Sequence, residues 1–133
     1  MRVLIWNCNN GLGSREQIDY FKALMPDLAI LPELKRDNVE QLGARSFSWT
    51  TNNLSNRSPK GLGVLGFGEV QLLELERDLD MELFLPLTVQ SPELSFNLVA
   101  VWNFYHACKQ GRFRGVKGEG ALEWMSIQPY GGS

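Results

Sequence analysis

Short apolar runs separated by polar, turn-forming breaks divide this chain, and the first such run is of strand rather than helix length. Arg2-Val3-Leu4-Ile5-Trp6 combines β-branched and aromatic residues over five positions, which predicts a strand. Asn7-Cys8-Asn9-Asn10-Gly11 interrupts it with residues that tolerate positive φ. Ser14 and Gln17 stand at capping-box spacing, and Ile18, Phe21 and Met25 follow at helical intervals. Pro26-Asp27 ends that helix. Leu28-Ala29-Ile30-Leu31 predicts a second buried strand, closed by Pro32-Glu33. Two hydrophobic strands joined by a crossover helix lie side by side and parallel. Their carboxyl ends then meet, and those ends carry Asn7 and Glu33.

Beyond Glu33 the pattern turns polar. Residues 35–42 predict a short helix stopped at Gly43, and Ser46-Phe47-Ser48-Trp49-Thr50 alternates with the period of a half-buried strand. Residues 51–60, rich in Asn, Ser and Pro, predict a loop. Residues 61–67 and 70–76 predict a hairpin about Gly68, with Leu72, Leu73 and Leu75 leaving a helical reading of the second run open. Residues 82–90 and 95–102 predict another strand pair around Ser91-Pro92. Residues 120–125 open as a helix would, but Pro129 follows almost at once. No repeat, low-complexity tract or linker interrupts the pattern. The fold class is α/β (α+β), with mixed, strand-rich sheets and flanking helices.

Composition narrows the class without changing it. A length of 133 residues fits one domain with a real core. Hydrophobic content of 44% and charged content of 21% are those of a soluble globular protein. The formal net charge of −2 gives no general pull toward nucleic acid or anionic membrane. No apolar run approaches the roughly 20 residues of a membrane span, and the first residues lack a signal peptide's longer apolar core. Cys8 and Cys108 are far apart in sequence, so two free thiols in a reducing cytoplasm are expected.

The carboxyl ends of neighbouring parallel strands are where open α/β sheets bind ligands. There the residues carry a resemblance. Trp6-Asn7-Cys8-Asn9, followed by Pro26-Asp27-Leu28-Ala29-Ile30-Leu31-Pro32-Glu33, resembles the opening of the endonuclease/exonuclease/phosphatase family. Lys60-Gly61-Leu62-Gly63-Val64-Leu65 and Phe96-Asn97-Leu98-Val99-Ala100-Val101-Trp102 resemble the family's next segments, in the same order. The likeness covers roughly residues 1–105, leaving 106–133 as a divergent tail of one partial domain. It implies part of a four-layer α/β sandwich and a divalent-metal-dependent phosphoester hydrolase. It also implies a site in which Glu33 binds Mg²⁺ (or Mn²⁺) and Asn7 orients that carboxylate or a water on the ion. Asn103, at the end of a predicted strand, is a candidate for contact with substrate, a phosphoester, nucleic acid being one such class.

The chemistry suits those residue types. Mg²⁺ takes oxygen ligands, commonly one or two carboxylates with waters and substrate phosphate completing the shell. It polarises the phosphoryl oxygen, while an amide beside the ligand holds it in place. The rest of the pattern is missing. No Gly-Asp-x-Asn and no late Ser-Asp-His occurs in the sequence, and in the family these position the attacking water and contact the phosphate. Pro32 also stands where the family commonly has Gln, and proline removes a ladder donor, which suits an edge or a strand end. The resemblance therefore implies a truncated member with reduced or no activity, exposing a sheet face through which it self-associates. The alternative is a non-catalytic α/β protein-interaction module or pseudoenzyme fragment. The remaining polar residues read more plainly. His106 has no acidic sequence neighbour, Asp78 and Asp80 sit in a charged turn, and the basic group from Lys109 through Arg112 and Arg114 to Lys117 reads as solvated. Lys35-Arg36 beside Glu33 suits an anionic substrate or plain solvation equally.

Overall fold

Strands and one helix alternate at the start of the chain, and the computed structural model shows why they stay together. It describes residues 1–8, 11–51, 59–77, 83–102 and 122–126, the last through backbone alone. Strand β1 (Arg2–Trp6) leads into helix α1 (Arg15–Leu24). Ser14 caps that helix by accepting the Gln17 backbone N–H at 3.1 Å, which satisfies one of the orphan donors of the first turn. At the other end Met25 adopts a left-handed conformation, φ 48°, and its N–H returns to the Lys22 carbonyl. The helix thus ends at Leu24, two residues before Pro26. Strand β2 (Leu28–Lys35) then pairs parallel to β1, with Val3 opposite Leu28 and Ile5 opposite Ile30. A 3₁₀ helix, Arg36–Leu42, follows and stops at Gly43, whose φ of 79° suits glycine.

Strands β3 (Ser46–Thr50) and β4 (Lys60–Gly66) continue the first sheet. Strands β5 (Gln71–Glu74), β6 (Phe84–Gln90) and β7 (Ser95–Val101) form a second. Strand β8 (Leu122–Ser126) returns to the first, antiparallel to β1. The five-stranded sheet has the order β3-β4-β2-β1-β8 and the three-stranded sheet the order β5-β6-β7. Alternate side chains of β1, β2 and β4 serve two cores. Val3, Leu28, Ile30, Leu62 and Val64 pack with Leu85, Leu87, Val89 and Ala100 of the second sheet. Leu4, Ala29, Leu31 and Leu65 pack with Ile18 and Phe21 of α1 and with Val39 and Leu42 of the 3₁₀ helix. The layers run helices, five-stranded sheet, three-stranded sheet. This is the mixed, strand-rich sandwich that the pattern predicts.

Three local expectations change. β4 and β5 are not a hairpin: both edges of β4 are already taken, by β2 and β3. The turn at Gly68, closed by the Val70 N–H on the Phe67 carbonyl at 3.1 Å, instead carries the chain from one sheet to the other. Residues 122–126 form a strand rather than a helix, because the free edge of β1 offers a partner for each of them and pairing overrides weak local propensity. Finally, Pro32 does not close β2. The strand resumes after an irregularity between Leu31 and Leu34 and pairs again through Leu34 with Gly61 and Lys35 with Lys60. Proline is tolerated inside a central strand there because a bulge removes the need for its missing N–H.

Candidate site at the tips of two parallel strands

Parallel pairing of β1 and β2 sends both strands out at the same end of the sheet. The exit is tied: the Cys8 N–H donates to the Pro32 carbonyl at 3.3 Å, and the Cys8 thiol donates to that same oxygen at 3.3 Å. Asn7 precedes the first of these residues and Glu33 follows the second, so one backbone link brings the two candidate residues to neighbouring positions. Both are half-buried. Glu33 lies at the irregularity of β2 with φ 64°, in the left-handed region that costs a non-glycine residue free energy. A bulge breaks the regular alternation of a strand there.

The loop after β1 is held from several sides. The Gly11 carbonyl accepts the Lys35 backbone N–H at 3.3 Å and the Asn38 side-chain amide at 2.7 Å. Gly11 itself has φ 73°, and a Cβ built on it would lie 2.4 Å from Cγ of Lys35, so the lysine stem rests on this glycine. From α1, the Gln17 amide Nε2 donates to the Cys8 carbonyl at 3.3 Å. Its Oε1 is buried without a hydrogen-bond partner. On the far side of β2, the Trp49 indole donates to the Leu34 carbonyl at 2.9 Å, fixing the strand just beyond Glu33.

Charge converges on the same place. Burial pushes the Cys8 thiol up from 9.0 to about 12; the Glu33 carboxylate adds to the rise and the Lys60 ammonium opposes it. The thiol is therefore neutral and inert near neutrality, and it lies within reach of both an acid and a base. The basic pair after Glu33 splits: Arg36 stacks its guanidinium over the Phe47 ring at 4.5 Å, leaving Lys35 on the loop side.

The donor set fits a hard cation that finishes its shell with water and substrate oxygens. One carboxylate and one amide are within what Mg²⁺ accepts from protein. Among the described residues no group of three or more His, Cys, Asp or Glu side chains could hold a metal ion on its own, which excludes there a fully protein-built site of the structural zinc kind. Asn103, His106, Asp78, Asp80, Cys108 and the basic group 109–117 lie outside the described residues. Trp102, which precedes Asn103, donates its N–H to the Leu83 carbonyl at 3.1 Å. A cleft of about 200 Å³ is lined by Met1, Asp27, Phe67, Ser91 and Leu94 among others. It sits where β1 and β2 begin, and so at the opposite end of the sheet from Asn7 and Glu33. Sequence reasoning missed Gln17, Asn38 and Lys60. Only Pro32, an odd residue inside an apolar run, signalled the bulge.

No protein-family model and no curated protein matches the sequence. Solved structures do match. The endonuclease domain of TRAS1, a telomere-specific non-LTR retrotransposon, superposes with TM-score 0.55 at 14% identity, covering 77% of this chain and 46% of that one. A humanized D. rerio TDP2 with 14 mutations superposes with TM-score 0.55 at 20% identity, covering 83% and 50%. An endonuclease/exonuclease/phosphatase from Beutenbergia cavernae DSM 12333 reaches TM-score 0.49 at 20% identity, covering 75% and 37%. The chain has the endonuclease/exonuclease/phosphatase fold. It spans about half the length of the first of these neighbours. Within the endonuclease/exonuclease/phosphatase fold, the β1–β2 tips are the part whose residues the sequence resemblance picked out. Among the described residues no helix is long and apolar enough to cross a membrane.

Proposed function

We propose that the β1–β2 tips form part of the site of a divalent-metal-dependent phosphoester hydrolase. Glu33 is the residue that holds Mg²⁺ or Mn²⁺, and Asn7 orients that carboxylate or the substrate through its side-chain amide. The ion, when bound, supplies positive charge to the phosphoryl oxygens. The chain's own part is placement: the Cys8–Pro32 link sets the spacing of the two tips, and the bulge breaks the alternation of β2 at Glu33. One observation carries the reading: the Cys8 N–H on the Pro32 carbonyl brings Asn7 beside Glu33, and Glu33 is held in left-handed backbone at the β2 bulge. Such conformations persist where the surroundings over-determine them, and they gather at functional sites. A cytoplasmic location accompanies it, since the free, buried Cys8 suits a reducing compartment.

A second reading has its own observation. Leu73, Leu75, Val99 and Val101 are exposed around the second sheet, and apolar surface of this kind marks interaction sites. On that reading the chain is a non-catalytic binding module that self-associates through this face. Magnesium-dependent hydrolysis of bis(p-nitrophenyl) phosphate separates the two. Turnover that falls by about 100-fold or more in Glu33→Gln, an effect of the size expected for losing an ion that stabilises transition-state charge, supports the hydrolase. Absence of turnover at high protein and metal concentration favours the module. Sedimentation of wild type against Val99→Lys then reports whether the face associates.

A further inference from the structure

The three-stranded sheet ends at β5 on one side and at β7 on the other, and its two edges are finished differently. β5 carries Glu74, whose carboxylate accepts the Ser48 hydroxyl of the first sheet, and Glu76 follows closely. Charge, proline and bulges are the ordinary guards of an edge against strand addition. β7 has none of them. Ser95-Phe96-Asn97-Leu98-Val99-Ala100-Val101 holds no charge and no proline, and its register with β6 runs without a bulge. Among the described residues no strand pairs with its outer side.

Backbone direction along β7 follows from its ends. The Trp102 N–H donates to the Leu83 carbonyl, and the Leu94 carbonyl accepts the Ser91 N–H. Antiparallel pairing alternates bonded and non-bonded pairs, so Phe96, Leu98 and Ala100 turn their polar backbone groups to β6. Ser95, Asn97, Val99 and Val101 turn theirs away from the sheet. Pro86, which has no N–H to give, accordingly stands opposite Val99. The side chains mark the same open border. Phe96 and Leu98 face the core between the sheets, yet both are only half-buried, and Val99 and Val101 are exposed on the outer face. A further strand laid along β7 satisfies the outward row and covers Phe96 and Leu98.

We propose that this strand is β7 of a second copy, paired antiparallel about Leu98. Asn97 then lies opposite the partner's Val99 and Ser95 opposite the partner's Val101, so every outward N–H meets an outward carbonyl. Phe96 lies opposite the partner's Ala100 on the core-facing side, a large side chain against a small one. A strand without charge meets itself with no like charges opposed, whereas Glu74 and Glu76 make β5 the poorer edge for such pairing. The same patch serves on both copies, so the contact closes as a two-fold dimer. A border about 23 Å long and about 10 Å thick buries less than the roughly 1,200 Å² at which standard interfaces begin. The dimer therefore forms at high protein concentration and parts on dilution. The inference is independent of the hydrolase reading. It shares with the module reading only self-association, which it moves from the outer face to the edge.

Sedimentation equilibrium of the full-length chain from about 10 µM to 1 mM, a range that spans weak complexes, should fit a monomer–dimer exchange. Val99→Pro removes an outward N–H and spares the bonds to β6. It should weaken the dimer about tenfold or more, since both copies lose a hydrogen bond. Val99→Thr keeps the N–H and the branched shape and should keep the dimer. Leu73→Lys charges the outer face on β5, away from the β7 edge, and should also keep it. Thermal melts establish that each variant folds. If Val99→Pro does not, hydrogen exchange of the wild type decides: the Asn97 and Val99 amides are expected to slow at high concentration, and no such slowing overturns the proposal. A chain that stays monomeric at about 1 mM, or a dimer that survives Val99→Pro, also overturns it. A dimer lost in Leu73→Lys and kept in Val99→Pro gives association back to the outer face and leaves the module reading standing.

Discussion

The two sheets differ in how many of their faces are covered. The five-stranded sheet is covered on both, by helices on one side and by the second sheet on the other, so β4 is buried from Gly61 through Gly66. Among the described residues the three-stranded sheet is covered on one. Leu85, Leu87 and Val89 of β6 point into the core, while Phe84, Pro86 and Thr88 alternate outward and Val99 and Val101 of β7 stand exposed. Two-sided burial over-determines a sheet, and an over-determined sheet can hold an interruption. The one irregularity in its β2–β4 ladder lies at Pro32–Glu33, beside the candidate chemistry. The one-sided sheet is regular over its described pairs and contributes a wall to the core and an apolar outer face.

Truncation should expose this contrast most strongly. Leu65 is fully buried under α1 and the 3₁₀ helix, and Leu65→Ala should cost about 3 kcal/mol, the middle of the range for a leucine cavity. Val99, 54% exposed on the outer face of β7, should tolerate Val99→Thr within about 0.5 kcal/mol. Urea denaturation of both variants reads the difference. Equal losses would mean that the second sheet's outer face is covered as well, and the contrast between the sheets would go.

A smaller effect reports how dry the helix side of the larger sheet is. The Cys8 thiol is raised from 9.0 to about 12, chiefly by burial. A raised thiol favours the neutral form in the folded chain. Below pH 9 both states keep the proton and the stability is fully present. Between about pH 9 and 12 the unfolded chain sheds a proton that the folded chain retains, so stability falls as pH rises, by at most about 1.4 kcal/mol per pH unit. The measurement is the difference between wild type and Cys8→Ala in denaturation from pH 7 to 11, which cancels the groups that the two chains share. Parallel curves would show a solvated thiol and a looser loop after β1.

How far the fold was legible follows the same contrast. β1, α1, β3 and the β6–β7 hairpin could be read because local signals and final environment agree: Ser14 caps, Gly43 stops, and Ser46 to Thr50 alternates. β8 could not, because residues 122–126 owe their strand to the free edge of β1 and not to their own pattern. The β4–β5 turn was misread for a similar reason, since a glycine turn between two apolar runs does not say which sheet the second run joins. At the candidate site, strand ends alone put Asn7 and Glu33 side by side, while their candidate roles come from the family resemblance. Lys60, Gln17 and Asn38 become neighbours of that end only through a register and a helix placement that no spacing encodes. The bulge lies between these cases. Pro32 announced a break in β2, but where the strand resumed was decided by Leu34 and Lys35 finding Gly61 and Lys60.

The smallest effect is the one most specific to the interruption. Glu33 holds φ 64°, a conformation glycine adopts freely and other residues adopt at a cost of order 1 kcal/mol or more. Glu33→Gly removes that cost and adds a smaller one, because glycine has more freedom to lose from the unfolded chain. The balance predicts a variant more stable by about 1 kcal/mol, which is opposite in sign to most substitutions at a half-buried position. The same variant deletes the carboxylate, so it should lose any Mg²⁺ response while melting higher than wild type. Glu33→Gln separates the two effects, since it deletes the charge but keeps the strained backbone, and so should gain no stability from relief of strain. If Glu33→Gly is instead destabilised, the carboxylate earns more from its surroundings than the backbone gives up. The residue would then be a structural anchor of the bulge and not a side chain held under strain for chemistry.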